Sequence, residues 1–235
     1  MRRSMLSDVL PPGACGEECC GDLAPVGAPA AELAVVQTAA PGRRREYGTV
    51  RVLARRALTA LAPNDRLLVA SHALVPGARG APTWPEGIVG SMTHCADYRA
   101  SVVARSSRYA TIGLDAELNH ELPAAVQDLI CRPEEHAMIA ELQRRDARVA
   151  WSAVVFSAKE SVYKAWYPLM GTWLDYGDVA IRIDPERRTF RARLEGRLGA
   201  GHVRMLRSRT MSSLTGTWCA GESLILTSAS VPRHR

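Results

Sequence analysis

The sequence predicts an α+β protein of two similar lobes. Three observations carry that prediction: apolar residues recur at helical spacing in two long stretches, apolar and polar residues alternate after Pro168, and a helix followed by several strands occurs once in each half. The lobes are expected to span residues 31–112 and 113–235 and to meet near residues 109–115, behind a poorly ordered leader of residues 1–30. A chain of 235 residues with 47% hydrophobic and 23% charged residues can bury a real core, which excludes disorder of the whole chain.

The leader mixes Pro, Gly and Ala with little periodicity. Its opening, MRRSMLSDVLPPG, has two arginines but no apolar run after them, so no signal peptide is expected. Cys15, Cys19 and Cys20 crowd into CGEECC, yet the spacing lacks paired C-x2-C units and no histidine is near. A mobile segment with reduced thiols is expected there in place of a metal site.

Glu32 to Thr38, ELAVVQT, reads as a first strand. PGRRREYGTVRVLARRALTALAP then gives a strong helix, with Val50, Leu53, Ala54, Ala57, Leu58 and Leu61 on one face. Its other face carries Arg44, Arg51 and Arg55, with Arg43 just before it; such a face is either solvated or turned toward phosphate. HALVPGARGAPTWPE reads as turns. GIVGSMTH reads as a short strand running into a polar loop at Ser91, Thr93 and His94, and RASVVAR and YATIGLDAE as two more strands.

The second half opens with helical stretches around LPAAVQDLI and RPEEHAMIAELQRR. The helix that organises the chain is WSAVVFSAKESVYKAW, residues 151–166, with Val154, Val155, Ala158, Val162, Ala165 and Trp166 as its apolar stripe and Pro168 just beyond its expected end. After it, Val179, Ile181 and Ile183 alternate, then Phe190, Ala192 and Leu194, then residues 214–218 and 224–226, as antiparallel hairpins.

The organising helix holds the only two lysines, Lys159 and Lys164, of a chain with 30 Lys+Arg residues. Lysine is a compact charge whose pKa shifts on burial, whereas arginine is a permanently charged fork, so these two positions point to work that arginine cannot do. Glu160 and Lys164, one helical turn apart, also read as an ordinary surface ion pair. Asp115 and Glu117, two apart on a strand, leave the same face. They form either a hard-cation site suited to magnesium or a strand edge meeting solvent. His94 reads equally as a loop histidine capping a strand end.

The net charge of +6 predicts attraction to an acidic partner. With aromatics at 6% and arginine spread through the chain, no stacking surface for nucleic acid is evident, and no apolar run approaches the ~18 residues of a membrane span. A cytoplasmic protein is expected. The rival readings are a basic binding module, with affinity that ignores magnesium and falls with salt, and another magnesium-dependent nucleotide-processing enzyme.

GSMTHCADYRASVV, then IGLDAE, then WSAVVFSAKESVYKAWYPL resemble, in order and spacing, the three signature motifs of the Sfp/EntD-type 4′-phosphopantetheinyl transferases. The resemblance runs from about Arg43 to the C-terminal strands and leaves out the leader. It implies two lobes in pseudo-twofold arrangement and transfer of phosphopantetheine from coenzyme A to a serine of an acyl or peptidyl carrier protein, releasing 3′,5′-ADP. The pathways implied are fatty acid, polyketide or nonribosomal peptide biosynthesis, siderophores included.

The same resemblance implies that Asp115, Glu117 and Glu160 hold Mg2+ on the coenzyme A pyrophosphate. Glu160 is expected as the base, taking the serine proton directly or through a metal-bound water, with Asp115 counted among the catalytic residues; Lys164 is to stabilise or protonate the leaving phosphate, and Lys159 to touch phosphate oxygens. Ser91 and His94 contact coenzyme A phosphates, and Arg43 and Arg51 grip the 3′-phosphate end. Where many relatives carry a basic residue, this chain has Pro76 before Gly77, leaving Arg79 as the nearest positive group. A monomer acting on small acidic carrier proteins is the expected assembly.

Overall fold

The computed structural model describes residues 4–65, 72–194 and 213–233, so residues 195–212 of the expected second lobe lie outside the described residues. The fold is α+β with two antiparallel sheets. Strands β1 (Cys15–Cys20), β2 (Ile88–Cys95) and β3 (Tyr98–Arg105) form one sheet in the order β1-β3-β2. Strands β4 (Tyr109–Leu118), β5 (Val179–Asp184), β6 (Thr189–Leu194), β7 (Ser213–Ala220) and β8 (Leu224–Pro232) form the other, in the order β4-β8-β7-β6-β5. The helices are α1 (Ala30–Val35), α2 (Pro41–Leu61), α3 (Ala124–Ile130), α4 (Pro133–Arg145) and α5 (Trp151–Met170). The boundary expected between residues 112 and 113 falls inside β4, whose whole length pairs within the second sheet.

Helix α2 forms where the periodicity puts it. Pro41 takes the first turn, where its missing N–H is no loss, and Val50, Leu53, Ala54, Ala57 and Leu58 are buried. Part of that face packs with Ile88 and Val103 of the first sheet. Helix α5 buries Trp151, Val154, Val155, Ala158, Val162, Ala165 and Trp166 against the inner face of the second sheet, where it meets Ile181, Phe190, Ala192, Leu214 and Ile225. Trp151 meets Trp218 edge-on with ring centroids 5.1 Å apart.

The expected stop before Pro168 is wrong. The helix runs through Pro168 to Met170 and ends at Gly171, whose positive φ of 64° lets its N–H reach the Tyr167 carbonyl at 2.9 Å. Proline removes one backbone bond there, and the glycine cap closes the extra turn.

Two expectations about the first forty residues also fail. ELAVVQT is not a strand: Ala30–Val35 is helical, and Glu32 turns inward at 2% exposure. Its carboxylate accepts the Leu74 N–H at 2.7 Å and pairs with Arg55. A buried, fully used carboxylate fixes this segment, and the valine pair that suggested β structure does not decide it.

Nor is residues 4–30 a loose leader. β1 pairs with β3 along its whole length, from Cys15 opposite Val103 to Cys20 opposite Tyr98. Glu18 accepts from the Tyr98 hydroxyl and from the Leu6 N–H. Leu6 and Val9 are 1% exposed in a core that they share with Ala100, Val102 and Ala104 of β3, Ile112, Leu114 and Ala116 of β4, and Cys219 and Leu226. That core lies between the two sheets and joins them.

The alternation of β4 sends Ile112, Leu114 and Ala116 into this inter-sheet core and leaves Gly113, Asp115 and Glu117 on the face toward α5. Glycine at 113 is required by close approach: a Cβ there would lie 1.9 Å from the Ser161 carbonyl oxygen and 2.7 Å from the Ala165 nitrogen. Helix and strand backbones cross in contact at that point, so the next residues along β4 meet the side chains of α5.

Candidate active site

Asp115 is the first residue beyond the crossing whose side chain faces α5. Lys164 Nζ donates to Asp115 Oδ1 at 2.7 Å, to the Leu114 carbonyl at 3.0 Å and to Thr93 Oγ1 at 3.4 Å. Thr93 also accepts the Ala116 N–H at 3.1 Å, so a hydroxyl on β2 ties the first sheet to this corner of the second. Asp115 is buried, and its Oδ2 has no partner among the described residues. A buried carboxylate oxygen left without a donor is costly, and its natural occupant is a proton or a cation.

Glu117 continues the same face, half-buried. Burial first, then repulsion from Asp115 and Glu160, push its pKa up to about 7 against the opposing pull of Lys164. Glu160 comes from the facing side of α5, and its Oε1 accepts the Tyr176 hydroxyl at 2.6 Å. Asp115, Glu117 and Glu160 are therefore within electrostatic reach of one another. They do not converge into a finished cage: among the described residues no three Asp, Glu, His or Cys side chains gather closely enough to hold a metal ion. The donor set still suits a hard divalent cation, since Asp115 Oδ2 is unpartnered and Glu117 sits in a surplus of negative charge.

The structure gives the two lysines opposite surroundings. Lys159, expected on phosphate oxygens, is a correction. Its side chain is 1% exposed, its ammonium pairs with Glu135 Oε2 at 2.7 Å, and it donates to the carbonyls of Ile130 at 2.8 Å and Tyr176 at 2.9 Å. Enclosed, with all three donors used inside the protein, it does not reach a ligand. Glu135 in turn accepts the N–H groups of Arg132 and Ile181, and the resulting knot binds α3, α4 and β5 to α5.

Arg43 and His94 meet at the other end of the site. Arg43 Nη1 donates to His94 Nε2 at 2.7 Å, with Glu46 3.5 Å from Arg43 and 3.8 Å from His94 Nδ1. Burial, helped by Arg43, Lys164 and Arg99 against the pull of Glu46, lowers the His94 pKa, which keeps the ring neutral and able to accept. Arg51 differs from expectation: it is buried, stacked 3.1 Å over Tyr47, and donates to the carbonyls of Leu74 at 2.7 Å and Tyr47 at 3.1 Å. Desolvation pushes its pKa down to about 10. Arg51 is a fixed wall of the site, and Arg43 is its reaching cation.

Two cavities connect these groups. One, of about 420 Å3, is lined by Arg43, Arg51, His94 and Tyr47. The other, of about 440 Å3, is lined by Ser91, Glu160 and Lys164 together with Trp84, Tyr163 and Tyr167. Both share Gly80, Pro82 and Met92, so a basic chamber adjoins a groove whose wall carries Glu160 and Lys164. Arg79, in a left-handed conformation, lies on the groove wall with its guanidinium 5.4 Å from the Trp173 ring centroid. A larger cavity of about 680 Å3, walled by Arg145, Arg148, Arg188 and Trp218, contains none of these groups.

The sequence names Thr93 only as one hydroxyl in a polar run, without a role, and gives no sign of Tyr176, an isolated aromatic after the helix with no periodic signal.

Comparison with known proteins agrees with this geometry. The sequence model described as the 4′-phosphopantetheinyl transferase N-terminal domain matches residues 31–104, and that of the 4′-phosphopantetheinyl transferase superfamily matches residues 111–219. The chain is 44% identical over 200 residues to the 4′-phosphopantetheinyl transferase Svp of Streptomyces mobaraensis, covering 85% of this chain and 77% of that one. It is 35% identical over 196 residues to PptT of Mycobacterium tuberculosis, covering 83% and 82%. It is 33% identical over 232 residues to Npt of Nocardia iowensis, covering 95% and 98%. With both family domains matched and its relatives covered over most of their length, the chain belongs to the 4′-phosphopantetheinyl transferase superfamily.

Proposed function

We propose that this chain transfers the 4′-phosphopantetheine group from coenzyme A to a serine of an apo acyl or peptidyl carrier protein, releasing 3′,5′-ADP, with Glu160 and Lys164 carrying the chemistry. The observation that bears most weight is the contact of Lys164 with Asp115 beside Glu160, on the wall of a groove that adjoins the Arg43–His94 chamber.

The geometry divides the work. Arg43 and His94 bind the phosphorylated nucleotide end, with Arg51 as the wall behind them. Ser91 lines the groove between that chamber and the carboxylates. The carrier serine oxygen forms a bond to the phosphorus that bears the pantetheine arm, and the bond from that phosphorus to the bridging oxygen breaks. Glu160 takes the serine proton, and Lys164 gives a hydrogen bond or a proton to the departing phosphate. Lys164 is 29% exposed on its side chain, and Asp115 holds its ammonium directly, which orients that group on the groove wall.

Asp115, Glu117 and Glu160 are the residues that would hold Mg2+, which supplies charge neutralisation at the pyrophosphate. Asp115 Oδ2 supports that assignment because nothing among the described residues satisfies it. The net charge of +6 suits small acidic carrier proteins, and encounter would weaken with salt. A monomer in the cytoplasm belongs to the same reading, and no helix among the described residues is long and apolar enough to cross a membrane.

The test is the intact mass of a purified apo carrier protein after incubation with the chain, coenzyme A and Mg2+. Gain of one phosphopantetheine is expected, and its loss is expected with Glu160→Gln and with metal chelated. Absence of coenzyme A binding would refute the reading and favour a basic binding module.

A further inference from the structure

Lys159 and Glu160 are neighbours on α5, and both reach Tyr176. Lys159 Nζ donates to the Tyr176 carbonyl at 2.9 Å, and the Tyr176 hydroxyl donates to Glu160 Oε1 at 2.6 Å. The segment that carries Tyr176 is capped and packed. It is a single 3-10 turn, Tyr176–Asp178, entered through a reciprocal cap in which the Asp175 N–H donates to Asp178 at 3.1 Å. The ring packs on Phe156 at 5.9 Å between centroids.

Glu160, by contrast, is a long side chain in a half-open groove, and the Tyr176 hydroxyl is its one hydrogen-bond partner among the described residues. Left alone, such a carboxylate would sample several rotamers and point productively only part of the time.

We propose that Tyr176 is a positioning residue for the reaction: its hydroxyl fixes the Glu160 carboxylate by Oε1 and leaves Oε2 for the serine proton or a divalent cation, while buried Lys159 holds the tyrosine in place through its carbonyl. This rests on the role given to Glu160 above. It also gives Lys159 a part in the site without contact to any ligand, since the Glu135–Lys159 pair anchors the arm that orients the neighbouring glutamate. Outer partners of this kind commonly set the orientation and affinity of carboxylate ligands.

Tyr176→Phe deletes only the hydroxyl and keeps both the ring against Phe156 and the carbonyl bonded to Lys159. The measurements are Mn2+ affinity of the coenzyme-free protein by electron paramagnetic resonance, and kcat and KM for coenzyme A with a carrier protein. Mn2+ binding weakened about tenfold and a lower kcat at unchanged KM are expected.

Mn2+ affinity within about twofold of the wild type, or tighter, overturns the proposal whatever the activity does. A KM for coenzyme A that rises in step with weaker Mn2+ binding also overturns it, because that pattern reports general loosening of the site. Glu160→Gln is measured alongside. If it binds Mn2+ and turns over like the wild type, the role of Glu160 itself fails; if it loses both while Tyr176→Phe loses neither, only the positioning role falls.

Discussion

The two lysines of α5 sit five residues apart on one helix and live in different worlds. Lys159 is enclosed, its three donors matched by one carboxylate and two carbonyls, so it contributes to holding four elements together. Lys164 is partly open, and its carboxylate partner keeps one oxygen without a donor. Donor count does not separate a structural charge from a working one, since both ammonium groups meet three acceptors. Exposure and the carboxylate partner do: Lys159 is enclosed beside a Glu135 with both oxygens used, while Lys164 is partly open beside an Asp115 whose Oδ2 has no donor among the described residues.

The strongest test of that contrast is paired substitution. Lys164→Met is expected to lower kcat by about 10^2–10^4-fold, with a smaller drop in melting temperature than Lys159→Met gives. Lys159→Met leaves Glu135 as an uncompensated buried charge and is expected to destabilise the fold by about 3–5 kcal/mol in urea unfolding. If Lys159→Met folded as well as the wild type and lost only turnover, the contrast would be broken.

Gly113→Ala sharpens the comparison by acting on the side of α5 that faces β4. An added methyl would meet the Ser161 carbonyl and push the helix off β4 near Lys164, so a loss of about 1–3 kcal/mol is expected. The kcat of this variant should fall as well, while the Lys159 knot, on the opposite side of the helix, stays closed; protection of the Ile181 amide in hydrogen exchange reads the knot directly. The smallest effect is expected from Arg43→Ala, which removes the reaching cation of the basic chamber. It should raise the KM for coenzyme A about tenfold, equivalent to ~1.4 kcal/mol, with kcat little changed; a fall in kcat alone would place Arg43 nearer the chemistry than its contact with His94 suggests.

The sequence made some of this readable and hid the rest for physical reasons. Helix α2 announced itself because its burial is one-sided, and one-sided burial leaves a 3.6-residue rhythm; α5 is buried on most sides and was legible from its apolar stripe all the same. Asp115 and Glu117 could be placed on one face because strands repeat every two residues. Lys159 was misread because its partner Glu135 comes from another helix, and no local pattern records a contact across 24 residues of chain. Glu32 was misread for the same reason: its partners Arg55 and Leu74 are distant in sequence, and the local valines argued for a strand. Tyr176 could not be found, since one tyrosine in a turn carries no period. The leader was underestimated because two apolar side chains, Leu6 and Val9, anchor it among many small and polar residues.

That anchoring sets a timetable for synthesis. The core between the sheets takes Leu6 and Val9 from one end of the chain and Cys219 and Leu226 from the other, and the Thr217 hydroxyl donates to the Val9 carbonyl across a separation of 208 residues. The first twenty residues find their strand partner, β3, before half of the protein has been made, but the core around Leu6 and Val9 is complete only when β7 and β8 have followed. At roughly 5–20 residues per second, that completion comes on the order of 10–40 seconds after Leu6 and Val9 are made, so the amino-terminal strap is among the last pieces to be fully covered.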